Sequence, residues 1–250
     1  MRPTSAGGPS ARPEAASGAG RAPLPRQYVT FTFFKTNPEW RRLDEETRRR
    51  GKDEFVNVLE DSMGRQVMTH AYSTVGLRAD AELCLWRIAS DLEPIQDMTA
   101  KLLSTGLGGY LETTHSLLGQ TKRSVYVDKL NPEHENSRIY IRPAQAKYIF
   151  IYPFVKTRAW YQMSKQARQG VMDEHIEVGN RYPSVKLNTI YSFGLDDQEF
   201  VVAFETDHPS DFLDLVMDLR ETEGSIYTLR DTPIFSAILR SYGEAVDLLG

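Results

Sequence analysis

Three side chains in one stretch of this chain have the types and spacing to do chemistry together: Tyr152, Lys156 and His175. An imidazole turned inward can give its lone pair to a metal. A phenol and an ammonium delivered to the same place would add two groups that hold or pass protons. The stretch opens with KYIFIYPF, whose β-branched and aromatic content is that of a buried strand. Pro153 removes a backbone donor near the end of that strand. From about Thr157 the period becomes helical, and Trp160, Met163, Ala167, Val171 and Val178 fall on one stripe. His175 lies on that stripe. On spacing alone it is a core histidine as readily as a ligand. Tyr152 is equally a packing residue, and Lys156 a surface charge.

The helix end bears on the imidazole. Gly179 suits a left-handed cap, which puts His175 in the last turn, where the helix dipole favours a cation. A metal would then have to compete with a proton for the ring.

Composition bounds the rest. The chain has 250 residues, 40% hydrophobic and 26% charged, as expected of a soluble globular protein. A formal net charge of −4 argues against a nucleic-acid partner. Cys84 is the single cysteine, which excludes an internal disulfide and a thiolate cluster. No apolar run approaches the ~20 residues of a membrane span. Residues 1–26 are rich in Ala, Gly, Pro, Ser and Arg and are expected to be disordered. They lack the apolar core of a secretory signal, and a cytoplasmic location is expected. Their arginines, with Glu14 as the single acid, also match the composition of an organelle transit peptide.

The chain repeats itself. AYSTVGLRADAELCLW from Ala71 and IYSFGLDDQEFVVAF from Ile190 share Tyr-Ser, Gly-Leu, a polar turn and a Glu-led apolar strand. Tyr72 and Tyr191 stand 119 residues apart, as do Tyr28 and Lys147, where the opening strands begin. A common offset at two landmarks indicates duplication. Each half reads β-α-β-β-α-β, the ferredoxin-like unit, with helices on one face of an antiparallel sheet. The expected fold is therefore α+β, two such repeats (27–118 and 147–235) forming a dimeric α+β barrel. A linker spans 119–146 and a tail 236–250. In the second half, strands are expected at 147–154, 185–193, 199–205 and 225–229, with helices at 157–179 and 209–222. The first half should carry a long helix over 38–61, begun by Asn37-Pro38.

The phrases KYIFIYPFVKTRAWY, MDEHIEVGNRYPSVKLNTIYSFGLDDQEFVVAFETD and ETEGSIYTLRDTP resemble the chlorite dismutase superfamily of haem proteins, most closely its coproheme decarboxylase branch. The resemblance runs from about Tyr28 to Phe235. It implies that His175 binds the iron of an iron porphyrin, that Glu223 is the acidic partner of that histidine, and that Trp160 lies beside the porphyrin. Tyr152 and Lys156 would be the catalytic tyrosine and lysine of propionate decarboxylation. Leu187 stands where chlorite dismutases carry a distal arginine, and leucine has no donor to hold an oxyanion. Arg138 and Arg142 are candidates for holding propionates. His134, in the linker, is a candidate proton shuttle for peroxide.

The implied reaction takes coproheme, with four propionates, to haem b, with two propionates and two vinyl groups, using hydrogen peroxide. Tyr152 would carry the oxidising equivalent as a phenoxyl radical that removes hydrogen from a propionate β-carbon, while Lys156 orients the carboxylate. Another haem enzyme of the superfamily, or a haem carrier or sensor, are the alternatives. The resemblance implies a homo-oligomer, since family members commonly form rings of about five subunits, and an open sheet edge would also favour one.

Overall fold

A computed structural model describes residues 26–62, 66–126 and 141–250. The first half comprises β1 (Tyr28–Thr36), α1 (Glu45–Ser62), β2 (Val67–Ser73), β3 (Leu83–Ala89), α2 (Glu93–Leu103) and β4 (Leu111–Gln120). The second comprises β5 (Tyr148–Lys156), α3 (Arg158–Gln162), α4 (Lys165–Asn180), β6 (Lys186–Tyr191), β7 (Phe200–Thr206), α5 (Pro209–Glu221), β8 (Thr228–Arg230), β9 (Phe235–Arg240) and α6 (Tyr242–Asp247). The class is α+β, as expected.

The sheet runs β7-β6-β4-β1-β3-β2-β9-β5, and β7 also pairs with β5, so eight strands close on themselves. β8 is a short addition on β5, beyond the end of β9. Alternation sorts each strand's side chains into two sets. Val29, Phe31 and Phe33 of β1 point into the barrel with Ile149 and Ile151 of β5 and Phe235 and Ala237 of β9. The other set faces outward under helices, α1, α2 and α6 over the first half and α4 and α5 over the second.

The closure removes one argument for self-association, because the barrel has no open edge to pair. The duplication also needs refinement. Inward residues of β1 and β5 are both odd-numbered, so the two strands correspond at an even offset, and 119 would exchange the faces. At the second landmark Tyr72 points into the barrel, whereas Tyr191 lies on the outer side opposite Phe200. The Tyr-Ser motifs thus mark the same strand end but not the same face.

Four elements differ from expectation, the first being the strand at 225–229, where Glu223–Tyr227 forms a 3-10 turn and only the short β8 follows. Asn37 does accept the Glu39 N–H, but Pro38–Arg42 forms a 3-10 turn and α1 starts afresh at Glu45. The expected helix over 157–179 breaks at Met163, and Ser164 caps α4 by accepting the Ala167 N–H at 3.1 Å. That break turns Ala167 out to solvent, so the anticipated stripe is not continuous. Finally, residues after 235 are no tail: β9 sits between β2 and β5, and α6 packs on the first half.

The seam between β4 and β6 is narrow, a single pair of Gln120 with Tyr191. Gly119 lies in it. A Cβ there would sit 2.5 Å from Ile190 Cγ2 and 2.8 Å from the Tyr191 carbonyl oxygen. Gly119→Ala is therefore expected to lower the urea midpoint, by an overpacking cost of about 1–3 kcal/mol. Gly109→Ala, where an added Cβ meets nothing within 4 Å, should stay within about 0.5 kcal/mol of the parent.

Candidate active site

The two helix-covered faces are packed unequally. Among the described residues seventeen buried ones fill the first, including Trp40, Phe55 and Leu249, whereas five fill the second: Tyr152, Val178, Phe204, Phe212 and Leu215. Around those five, Phe150, Phe154, Tyr182, Val202 and others are covered only in part. An apolar sheet face left this open is where a flat apolar ligand would find area to bury.

Tyr152 stands on β5 within that face. Its ring stacks on Phe204, 5.9 Å between centres at 18°, and it is 9% exposed. Burial, reinforced by the nearby Asp231 carboxylate, pushes its pKa well above the usual phenol range, with the Arg220 guanidinium opposing. The hydroxyl therefore keeps its proton at any physiological pH. Leu187, on β6, is the cross-strand neighbour of Phe204, so Leu187, Phe204 and Tyr152 form a run across three strands. Leu187 is 40% exposed, an apolar side chain that the chain itself does not cover.

At the end of β5, Lys156 turns toward the helices. Its Nζ donates to the Gly224 carbonyl at 2.9 Å and lies 4.8 Å from the centre of the Trp160 ring. Burial pulls its pKa down to about 8, and Glu199 acts against that shift. Glu199 also fixes the strand end, accepting the Lys156 N–H at 2.8 Å and the Tyr161 hydroxyl at 2.5 Å. Trp160, 3% exposed, packs against Tyr227 and Tyr126, with ring centres 5.5 and 6.1 Å away.

His175 comes from α4 and meets the 3-10 turn Glu223–Tyr227. A Cβ on Gly224 would lie 3.7 Å from His175 Nδ1 and as far from Val171 Cγ1, so the glycine lets this turn approach the ring. Two bonds strap the turn in place: Lys156 to the Gly224 carbonyl, and the Glu223 N–H to Glu174 Oε2 at 2.9 Å. α4 continues to Asn180 and Arg181 closes it, so Gly179 is not the cap and His175 lies more than a turn from the end. The dipole expectation fails accordingly. Burial first, and then the Lys156 charge, push the His175 pKa down to about 4, with Glu174 opposing. The imidazole is neutral, and neither ring nitrogen has a hydrogen-bond partner among the described residues.

The structure thus brings Lys156, Trp160 and His175 together and sets Tyr152 and Leu187 on the adjoining sheet face. The Glu223 carboxylate is exposed and makes no bond to His175; the backbone of the turn is what reaches the ring. Arg142 is exposed, and its carbonyl takes the Lys186 ammonium, which stands opposite Glu205 on the other face of β6 from Leu187. Arg138 and His134 lie outside the described residues. Glu199, Gly224, Tyr126, Tyr227 and the Arg220–Asp231 pair were not legible as site residues. Only Gly224 carried a local signal, a glycine directly after the acid of ETEG.

A neutral, unpartnered imidazole beside an incompletely covered aromatic sheet face is a donor set that fits an iron porphyrin: one nitrogen for the iron and an apolar wall for the ring. A closed barrel of two ferredoxin-like halves with this one-sided site defines the class. A family model described as chlorite dismutase matches residues 48–240, and the chain belongs to the chlorite dismutase family. It is 28% identical over 212 residues to a coproheme decarboxylase of Mycolicibacterium smegmatis, covering 84% of this chain and 88% of that one. It is also 28% identical to a chlorite dismutase of Ideonella dechloratans, over 82% and 73% of the two chains. Among solved structures, chlorite dismutase from Candidatus Nitrospira defluvii in complex with imidazole superposes with a TM-score of 0.81 at 26% identity, covering 89% of this chain and 94% of that one.

The protonation state of His175 can be measured directly. NMR titration of the apo-protein should show the His175 imidazole neutral from pH 7 down to about 5, ending near the folded value of about 4. Because the unfolded ring takes its proton near 6.5, the unfolded chain binds more protons between those values, and this group makes stability fall as pH falls through them. Lys156→Met should raise the His175 midpoint. A His175 that titrates at its ordinary value would remove both causes assigned to it.

Proposed function

We propose that this protein binds coproheme through His175 and oxidatively decarboxylates two of its propionates to vinyl groups, yielding haem b. The observation that carries the reading is Tyr152, a buried phenol on the open apolar face, with the uncharged Leu187 in the same run and a neutral His175 opposite Lys156. The names of relatives alone would not choose, since a coproheme decarboxylase and a chlorite dismutase are equally similar.

For each propionate the balance is RCH2CH2COOH + H2O2 → RCH=CH2 + CO2 + 2H2O. The iron porphyrin, when bound, supplies the oxidising chemistry drawn from peroxide. The chain's residues do the rest. His175 would offer a ring nitrogen to the iron without first losing a proton. Trp160 and the Phe150–Tyr152–Phe154 face bury the ring and exclude water. Tyr152 gives up an electron and its phenolic proton together, because burial disfavours the phenolate. The resulting phenoxyl takes a hydrogen atom from a propionate β-carbon and returns to phenol. Lys156 uses one of three N–H donors on Gly224, leaving two to orient a carboxylate. Loss of carbon dioxide, of the carboxyl proton and of a second electron completes the vinyl group, the electrons and protons going to reduce peroxide to water.

Incubation with ferric coproheme and peroxide, followed by mass analysis of the porphyrin, tests this. The parent should convert two propionates. Tyr152→Phe should bind coproheme about as well, at a folding cost of about 1 kcal/mol, but release no carbon dioxide. His175→Ala should weaken binding and lose the spectrum of an imidazole-ligated ferric haem. Normal haem b from the phenylalanine variant would end the proposed role of Tyr152 while leaving the binding site standing.

Leu187 bears on the alternative chemistry. No cation stands at its place in the run, so oxygen evolution from chlorite should be negligible in an electrode assay. Efficient turnover would mean that another cation reaches this face. A homo-oligomer belongs to the same reading, supported by Leu213, Met217, Ile226 and Leu229, which are 57–72% exposed in the second half. Sedimentation as a strict monomer would count against it.

A further inference from the structure

Two oxidisable rings border the candidate site, and the charges around them differ in sign. Lys156 Nζ lies 4.8 Å from the centre of the Trp160 ring, held there by its bond to the Gly224 carbonyl at 2.9 Å. Among the described residues Trp160 is the one tryptophan with a cation over its face. With a pKa of about 8, the ammonium stays mostly protonated at neutral pH. Around Tyr152 the balance is reversed. After burial, the Asp231 carboxylate acts on that phenol more strongly than the Arg220 guanidinium. Removing an electron from a ring creates positive charge, so a fixed cation opposes it and a carboxylate assists it.

Behind Trp160 stand phenols that could carry an oxidising equivalent away. Tyr227 and Tyr126 pack on its ring, and the Tyr126 hydroxyl takes the indole N–H. Tyr161, the next residue, already donates to Glu199 at 2.5 Å, so its proton has a place to go once an electron leaves. In such a drain Trp160 would give one electron to the oxidising porphyrin and regain it from Tyr161, whose proton would pass to Glu199. The equivalent would then be spent on a phenol that faces no propionate.

We propose that the Lys156 ammonium, fixed over the Trp160 ring, suppresses oxidation of this tryptophan and so directs the oxidising equivalent to Tyr152. The charge sets which aromatic ring reacts, a task separate from orienting a carboxylate. Gly224 shares in it, because its carbonyl holds Nζ in place. The direction toward Tyr152 rests on the porphyrin reading above, whereas the protection of Trp160 does not.

The test uses the full chain without porphyrin, so a failure to decarboxylate coproheme is read apart from it. The probe is the azide radical, a neutral one-electron oxidant that takes an electron from indole and leaves as azide ion. Being neutral, it approaches the site equally whether or not residue 156 is charged. Oxidation of Trp160 is read from the mass of its tryptic peptide at equal radical dose. Lys156→Met should raise it about tenfold, as expected of one charge at this range with Glu199 opposing it. Lys156→Arg, which keeps the charge, should match the parent. Glu199→Gln removes the opposing carboxylate and should lower Trp160 oxidation; if Lys156→Met does not fold, this variant decides, and an unchanged value overturns the proposal. Equal oxidation in the parent and Lys156→Met, or an equal rise in the Met and Arg variants, would also overturn it.

Discussion

The stack of Phe33 on Phe235, 3.8 Å between ring centres and 21° between planes, joins the two halves of this chain at the middle of one shared interior. Phe33 belongs to the first repeat and Phe235 to the last strand, so the barrel interior is shared by the two halves, unlike the cores under their helices. A barrel filled this way has no room for a ligand inside. Binding must happen on an outer face, between sheet and helices. The first such face is filled by Trp40, α2 and α6. The second is not, and the groups able to do chemistry stand around it.

Much of this was legible in the residues. Alternation and turn chemistry gave the element order, and the repeated phrases gave the pairing of halves. What failed did so for local reasons. The stripe from Trp160 to Val178 assumed one helix, but Met163 takes an extended backbone and Ser164 restarts the helix with a new phase. FSAILR after Pro233 is too short to announce itself, and only the barrel's need for an eighth strand makes β9 necessary. The offset of 119 located the right elements, yet it was wrong by one residue for side-chain direction, a distinction that sequence similarity does not see.

The site shows the same division. Strand and helix periods located His175, Tyr152 and Lys156, but it was the family resemblance that singled them out as site residues. Their electrostatics were not readable, because they depend on partners distant in sequence. Lys156 depends on the carbonyl of Gly224, 68 residues away, and on Glu199 at its strand end. The neutrality of His175 comes from burial under the Glu223–Tyr227 turn and from the Lys156 charge, and it reverses what the helix end alone suggested. Glu223 was chosen for its carboxylate, but its backbone does the visible work, tying the turn to Glu174.

The place of β9 has a consequence for how the chain is made. It lies between β2 of the first half and β5 of the second, with β2 pairing through Ala71–Ser73. During synthesis β2 therefore emerges early and waits, its edge unpaired, for a strand more than 160 residues downstream. Until residues 235–240 leave the ribosome the barrel cannot close, whatever the helices have done. Such long-range pairing slows folding and prolongs exposure of a sticky edge. Until then the β2 edge is the part of the first repeat most open to wrong pairing.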